Sequence, residues 1–297
     1  KRLQPSFAGI NLEDIASPKC YEIEQTLKKE MDIPVFHDDQ HGTAIAALAG
    51  VIGAFRYVHK DLKTARIVIN GAGAAGASIG RLLVRAGARN VTMVDRPGIL
   101  YDGMEGLNPV QAELASLTNP SHAHGTLADA VKGADLLLGV SAPHIFTKEI
   151  IQSMAADAVV FAMANPIPET DYASAKAAGA KVVGTGRSDA PNQINNVMVF
   201  PGIFRGALAV RARSINEDMK LAASYAIASL VSDDELAEDH VIPDAFDKRV
   251  APAVAAAVAK AAMDSGVARI TRDPEDVRQE AAETIDKLHA MLDLIHG

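Results

Sequence analysis

The chain has 297 residues, 48% of them apolar, and a formal net charge of -8. It is long enough for two domains, too apolar for a disordered chain, and too acidic to be drawn to nucleic acid or an anionic membrane. Cys20 stands alone, which excludes an intrachain disulfide and fits a reducing compartment. With no apolar run of membrane-spanning length and no signal-peptide pattern, the expectation is a soluble cytoplasmic protein.

In chain order, Lys1 to Phe7 carries no initiator Met and runs straight into apolar residues, so a truncated N-terminus is expected. Ala8 to Leu12 reads as a short strand that delivers Glu13 and Asp14. Tyr21, Ile23 and Leu27 predict a helix over 19–29, and Ile33 to His37 an edge strand with Asp38 and Asp39 after it. Gly42 to Tyr57 is an alanine-rich helix suited to close packing on a sheet.

From Arg66 onward strands and helices alternate. Buried strands are predicted at Ile67–Ile69, Val91–Asp95, Asp135–Val140, Ala158–Ala162 and Lys181–Gly184, with helices between them. Short apolar runs separated by helices imply a parallel sheet covered on both faces. After Pro201 the remainder reads as helices, the last from about Pro274 to Ile295.

The segment Gly71-Ala72-Gly73-Ala74-Ala75-Gly76 is weak as a glycine pattern and stronger in its setting. It follows a predicted strand, opens a helix, and has Asp95 at the end of the next strand, 19 residues beyond Gly76. Gly71 allows a tight turn, Gly73 lets backbone approach a pyrophosphate, and Gly76 lets the helix pack on the sheet. The helix N-terminus then offers N–H groups to the phosphates. Asp95 can accept hydrogen bonds from an adenosine ribose and favours NAD, whereas the adjacent Arg96 can meet the 2′-phosphate of NADP. The choice stays open, with a lean to NAD.

Glu13-Asp14 and Asp38-Asp39 each end a strand-like stretch. Neighbouring side chains on a regular strand face opposite ways, so both members of a pair serve one site only where the backbone turns. Carboxylates gathered at one point repel, and a hard divalent cation such as Mg²⁺ or Mn²⁺ relieves that repulsion. A solvated acidic surface is the competing reading of such doublets.

The stretches Gly9-Ile10-Asn11-Leu12-Glu13-Asp14 and Pro34 to Ala44 closely resemble the bacterial malic enzymes, NAD(P)-dependent decarboxylating malate dehydrogenases. The similarity continues through Asn70 to Gly73, Ala164-Asn165-Pro166, Asn192 to Asn196 and Phe200-Pro201-Gly202. It implies that Glu13, Asp14 and Asp39 hold the metal and that Asp38 tunes a catalytic lysine. It implies further that Asn165, Asn195 and Asn196 line the malate pocket, with Asn196 also near the nicotinamide. The reaction implied is oxidation and decarboxylation of (S)-malate to pyruvate and carbon dioxide, with a homodimer or higher homo-oligomer as the assembly. The tyrosine and lysine that transfer protons in the family lie upstream of the Glu13 stretch, and no residue here matches them. The fold expected is α/β, a Rossmann-like doubly wound parallel sheet over 46–215. Residues 1–45 are expected to be the end of an N-terminal substrate and metal domain, and 216–297 a helical segment.

Overall fold

The computed structural model describes residues 1–296. It opens with β1 (Ile10–Leu12), α1 (Lys19–Glu30) and β2 (Val35–His37). The two strands pair in parallel, from Ile10 opposite Val35 to Leu12 opposite His37. Leu12, Met31 and Val35 close a small apolar core beneath them. A single π turn, Asp38–Gly42, follows β2 and runs into α2 (Thr43–Tyr57). Ile45 to Ala49 are all wholly enclosed, so this helix is apolar all round rather than amphipathic.

Next come β3 (Arg66–Asn70), α3 (Ala74–Arg85), β4 (Asn90–Asp95), β5 (Gly98–Ile99), α4 (Pro109–Leu117) and α5 (Leu127–Val131). They are followed by β6 (Leu136–Gly139), α6 (Lys148–Gln152), β7 (Val159–Ala162), α7 (Tyr172–Ala177) and β8 (Val182–Thr185). Among the described residues these strands form one six-stranded sheet in the order β5-β4-β3-β6-β7-β8. All pairings are parallel except the short β4–β5 hairpin. Every residue of β6, β7 and β8 is buried, as expected of strands covered on both faces. The order reverses between β3 and β6, which makes the C-terminal ends of those strands the switch point at which such sheets bind ligands.

The chain ends in helices, α8 (Phe200–Ala209), α9 (Glu217–Ala228), α10 (Val250–Asp264) and α11 (Pro274–His296). Alanine supplies helix propensity along α10 and keeps it thin. A Cβ on Gly202 would stand 2.6 Å from that of Val254, and one on Gly206 2.4 Å from the Ala255 carbonyl, so the α8 backbone approaches both side chain and backbone of α10.

Two compact units result. One contains Lys1–Ala46, Asn196–Leu230 and the chain from Pro243 onward; the other contains Ala47–Asn195 and Val231–Ile242. The main stretch of the sheet unit ends at Asn195, and the glycines of α8 pack that helix on α10. The segment 231–242 returns to the sheet unit, where Asn192 accepts the Val241 N–H and donates to the Glu238 carbonyl.

Candidate functional site

In the sheet unit the glycine turn leaves β3 and enters α3. The Gly71 N–H donates to the Val94 carbonyl at 2.8 Å, which sets the turn beside the end of β4. Gly71 has φ +110°, a conformation that L side chains rarely adopt. A Cβ on Gly76 would lie 1.8 Å from the Gly71 carbonyl oxygen, so that position is closed by the turn itself. Around Gly73 a Cβ would meet nothing within 4 Å. No side chain caps the first turn of α3, so its N–H groups are left for an anion, as such a site requires. The turn fits a pyrophosphate.

Asp95 ends β4. Its Oδ1 accepts the Arg96 backbone N–H at 2.9 Å and its Oδ2 accepts the Gln111 side-chain amide at 2.8 Å. Gln111 is itself held in a capping box with Asn108 at the start of α4. The carboxylate is therefore fixed in direction, while Arg96 stays exposed. Asn165 follows β7 on an exposed loop, and Asn195 closes the same unit.

The acidic residues belong to the other unit. Asp14 sits at φ +56°, so the strand alternation breaks between Glu13 and Asp14, where a shared site needs it to break. Across the strand pair, Asp39 Oδ2 accepts the Asp14 N–H at 2.9 Å and lies 3.8 Å from His37 Nδ1. Asp38 is buried, and burial together with the charges of Glu13 and Asp39 pushes its carboxyl up to about 6. Asn196 opposes this by donating to Asp38 Oδ2 at 2.8 Å, while Asp38 Oδ1 and both ring nitrogens of His37 are buried without a hydrogen-bond partner. The all-oxygen donor set has the chemistry that a hard cation takes. It is not closed around one: among the described residues no three His, Cys, Asp or Glu side chains stand as a metal-holding group.

Behind this turn runs a buried charged chain. Lys28 Nζ lies 2.6 Å from Glu24 Oε1, which lies 2.7 Å from His41 Nε2. Lys220 Nζ stands 3.0 Å from His41 Nδ1 and 2.7 Å from Glu217. An ammonium only donates, so Nδ1 accepts and the Nε2–H donates to Glu24. Burial and the Lys220 charge push His41 down to about 4. Burial works against Glu24 ionising, but the bonds from His41 and Lys28 outweigh it and bring that carboxyl to about 2. Burial likewise lowers Lys220. The turn carrying Asp38 and Asp39 is thus held from α1 and α9.

Sequence reasoning missed Gln111, Glu24 and Lys220. Gln111 had a local signal, the Asn-Pro-x-Gln start of a helix. Lys220 had none, since its partner His41 is 179 residues away.

A parallel sheet of this order, with a glycine turn after its first strand and a fixed carboxylate after its second, defines a dinucleotide-binding protein. The family described as malic enzyme, NAD binding domain, matches residues 40–263. The bifunctional malic/malolactic enzyme of Bacillus subtilis is 58% identical over 281 residues, covering 94% of this chain and 68% of that protein. The NAD-dependent malic enzyme of Geobacillus stearothermophilus is 54% identical over 269 residues, 91% of this chain and 56% of its own length. Relatives named NADP-dependent malic enzyme match as well. The malic enzyme of Pyrococcus horikoshii superposes with a TM-score of 0.94 at 43% identity, covering 99% of this chain and 70% of that one. The chain belongs to the malic enzyme family. No described helix is long and apolar enough to cross a membrane.

Proposed function

We propose that the protein carrying this chain oxidises and decarboxylates (S)-malate to pyruvate and carbon dioxide, reducing NAD⁺ or NADP⁺ with the help of Mg²⁺ or Mn²⁺. The observation that carries this reading is the acidic turn: Glu13, Asp14, Asp38 and Asp39 are gathered at the ends of one strand pair in a chain that also holds a dinucleotide turn. A simple hydride-transfer enzyme has no use for that charge.

Glu13, Asp14 and Asp39 would hold the cation, which supplies Lewis-acid polarisation of the substrate oxygen. Gly71 to Gly76, with Ala72, Ala74 and Ala75, would bind the pyrophosphate of the dinucleotide, which supplies the hydride acceptor. Asp95 would take the ribose, with Arg96 beside it. Asp38, oriented by Asn196, would receive a cationic proton carrier at its buried, unpartnered Oδ1. Asn165, Asn195 and Asn196 would orient the malate carboxylates and the nicotinamide amide by hydrogen bonding.

The test is product analysis with malate, NAD⁺ or NADP⁺, and Mn²⁺. Release of pyruvate with one equivalent of carbon dioxide, abolished by a chelator, is the expected result. Accumulation of oxaloacetate without carbon dioxide, independent of metal, would instead make this a 2-hydroxyacid dehydrogenase.

A further inference from the structure

Glu169 is wholly enclosed, and among the described residues it forms no ion pair. Its Oε1 accepts the Ser141 N–H at 2.7 Å and the Ser141 hydroxyl at 3.4 Å. Its Oε2 accepts the Ala164 N–H at 3.1 Å, and its own carbonyl accepts the Phe146 N–H at 3.1 Å. The Ser141 hydroxyl in turn accepts the Asn70 amide at 2.6 Å, one residue before Gly71. A single carboxylate thus ties together the first residues beyond β6 and β7 and links them, through Ser141, to the end of β3. Gly139 leaves room for it, since a Cβ there would stand 2.5 Å from the Glu169 Cδ.

The sheet does not need this tie to stay in register. β6 and β7 are already paired from Leu136–Val159 to Gly139–Ala162, and the Met163 N–H extends the ladder to the Gly139 carbonyl. What the carboxylate sets is the spacing of the two loops that leave the sheet, exposed at Ser141–His144 and at Asn165–Ile167. Those loops lie on the β6–β7 side of the switch point, whereas the glycine turn and Asp95 lie on the β3–β4 side. A dinucleotide lying across a switch point puts its adenosine half on one side and its other nucleotide on the opposite side.

We propose that Glu169 is a positioning residue for the nicotinamide half of the dinucleotide: it fixes the gap between the Ser141 and Asn165 loops in which that half sits. Converting its carboxylate to an amide leaves one backbone N–H facing another donor, which opens the gap, while the glycine turn beside Ser141 keeps its own bond from the Gly71 N–H to the Val94 carbonyl. This rests on the dinucleotide reading above.

The experiment titrates the full chain with NADH, followed by its fluorescence, and with ADP-ribose, which lacks nicotinamide, by calorimetry. Glu169→Gln should weaken NADH about tenfold and leave ADP-ribose within about twofold. Ser141→Ala, which keeps the backbone bond and removes the Asn70 link, should weaken NADH by about threefold with the same selectivity. Equal weakening of both ligands would make Glu169 a general structural residue and overturn the proposal, as would unchanged NADH affinity. If Glu169→Gln does not fold, Ser141→Ala decides by the same split. A parent chain that binds neither ligand would sink the dinucleotide reading itself.

Discussion

The turn at Gly71–Gly76 is shaped by side chains that are missing, and the turn at Asp38–Gly42 by side chains that are charged and buried. In the first, backbone closes on backbone at Gly76 and open space is left at Gly73. In the second, Glu24 and Lys220 are buried and Lys28 and His41 half-buried, with an exposed Glu217 at the end of the chain of charges, to hold one loop. The first offers a site for an anion by presenting N–H groups; the second gathers repelling carboxylates that only a cation or a proton can relieve. One should therefore fail by steric insult and the other by loss of charge.

The largest effect is expected at Gly76. Gly76→Ala drives a methyl group into the Gly71 carbonyl, and NADH affinity should fall more than about a hundredfold with a lowered Tm. Gly73→Ala adds a methyl group to open space; it should keep the parent Tm and lose about tenfold in NADH affinity by standing where the pyrophosphate approaches. Calorimetry and NADH titration on both variants would break the comparison if Gly76→Ala behaved like Gly73→Ala.

Acid should strike the charged chain next. His41 has a folded-state pKa of about 4 against an ordinary 6.5, so the unfolded state binds more protons between those values. Its contribution is complete above pH 6.5 and is lost as the pH falls to about 4, on the order of 3 kcal/mol. Glu24, lowered from 4.5 to about 2, adds a second loss of similar size from pH 4.5 downward. Unfolding measured from pH 7 to 4 should show stability falling with pH in the parent and a flatter curve in His41→Gln. A parent curve flat over that range would show that the imidazole is not held neutral.

Asp39→Asn keeps the shape of the acidic turn and removes one charge. Mn²⁺ affinity should drop about tenfold or more while NADH affinity is unchanged. Equal Mn²⁺ binding in variant and parent would take Asp39 out of the ligand set.

The smallest effect concerns coenzyme choice. Both carboxylate oxygens of Asp95 are engaged, so its charge cannot turn away from a 2′-phosphate. NAD⁺ should bind the parent a few-fold more tightly than NADP⁺. If NADP⁺ is preferred and Arg96→Ala abolishes the preference, the arginine is the selector.

What could be read from the sequence was local. The glycine turn and Asp95 were legible because strand, turn, helix and carboxylate follow one another within one βαβ unit, and all five principal parallel strands were visible as apolar runs. The doublets Glu13-Asp14 and Asp38-Asp39 were legible as strand ends, although the positive φ of Asp14 was not. The rest depended on partners far apart in the chain. Lys220 reads as an ordinary helix-surface lysine until α9 is seen to bring it to His41, and Glu169 reads as a loop acid until both oxygens are traced to strand-end N–H groups. The packing of α8 was hidden for the same reason, since nothing near it announces that Gly202 and Gly206 lie against α10.

The return of residues 231–242 to the sheet unit bears on when that unit can form. The backbone of Val241 lies so close to α2 that a Cβ on Gly53 would stand 1.8 Å from its carbonyl. On a ribosome, strands β3 to β8 are complete by Thr185 and Asn192 can donate to the Val183 carbonyl, yet the groove beside Gly53 and the Asn192 side-chain oxygen stay unfilled until Val241 emerges. The nascent sheet unit is therefore expected to be completed only by a segment encoded beyond α8 and α9. Pulse proteolysis of stalled chains ending near residue 215 and near residue 260 would resolve this, with protection of the sheet expected only in the longer chain.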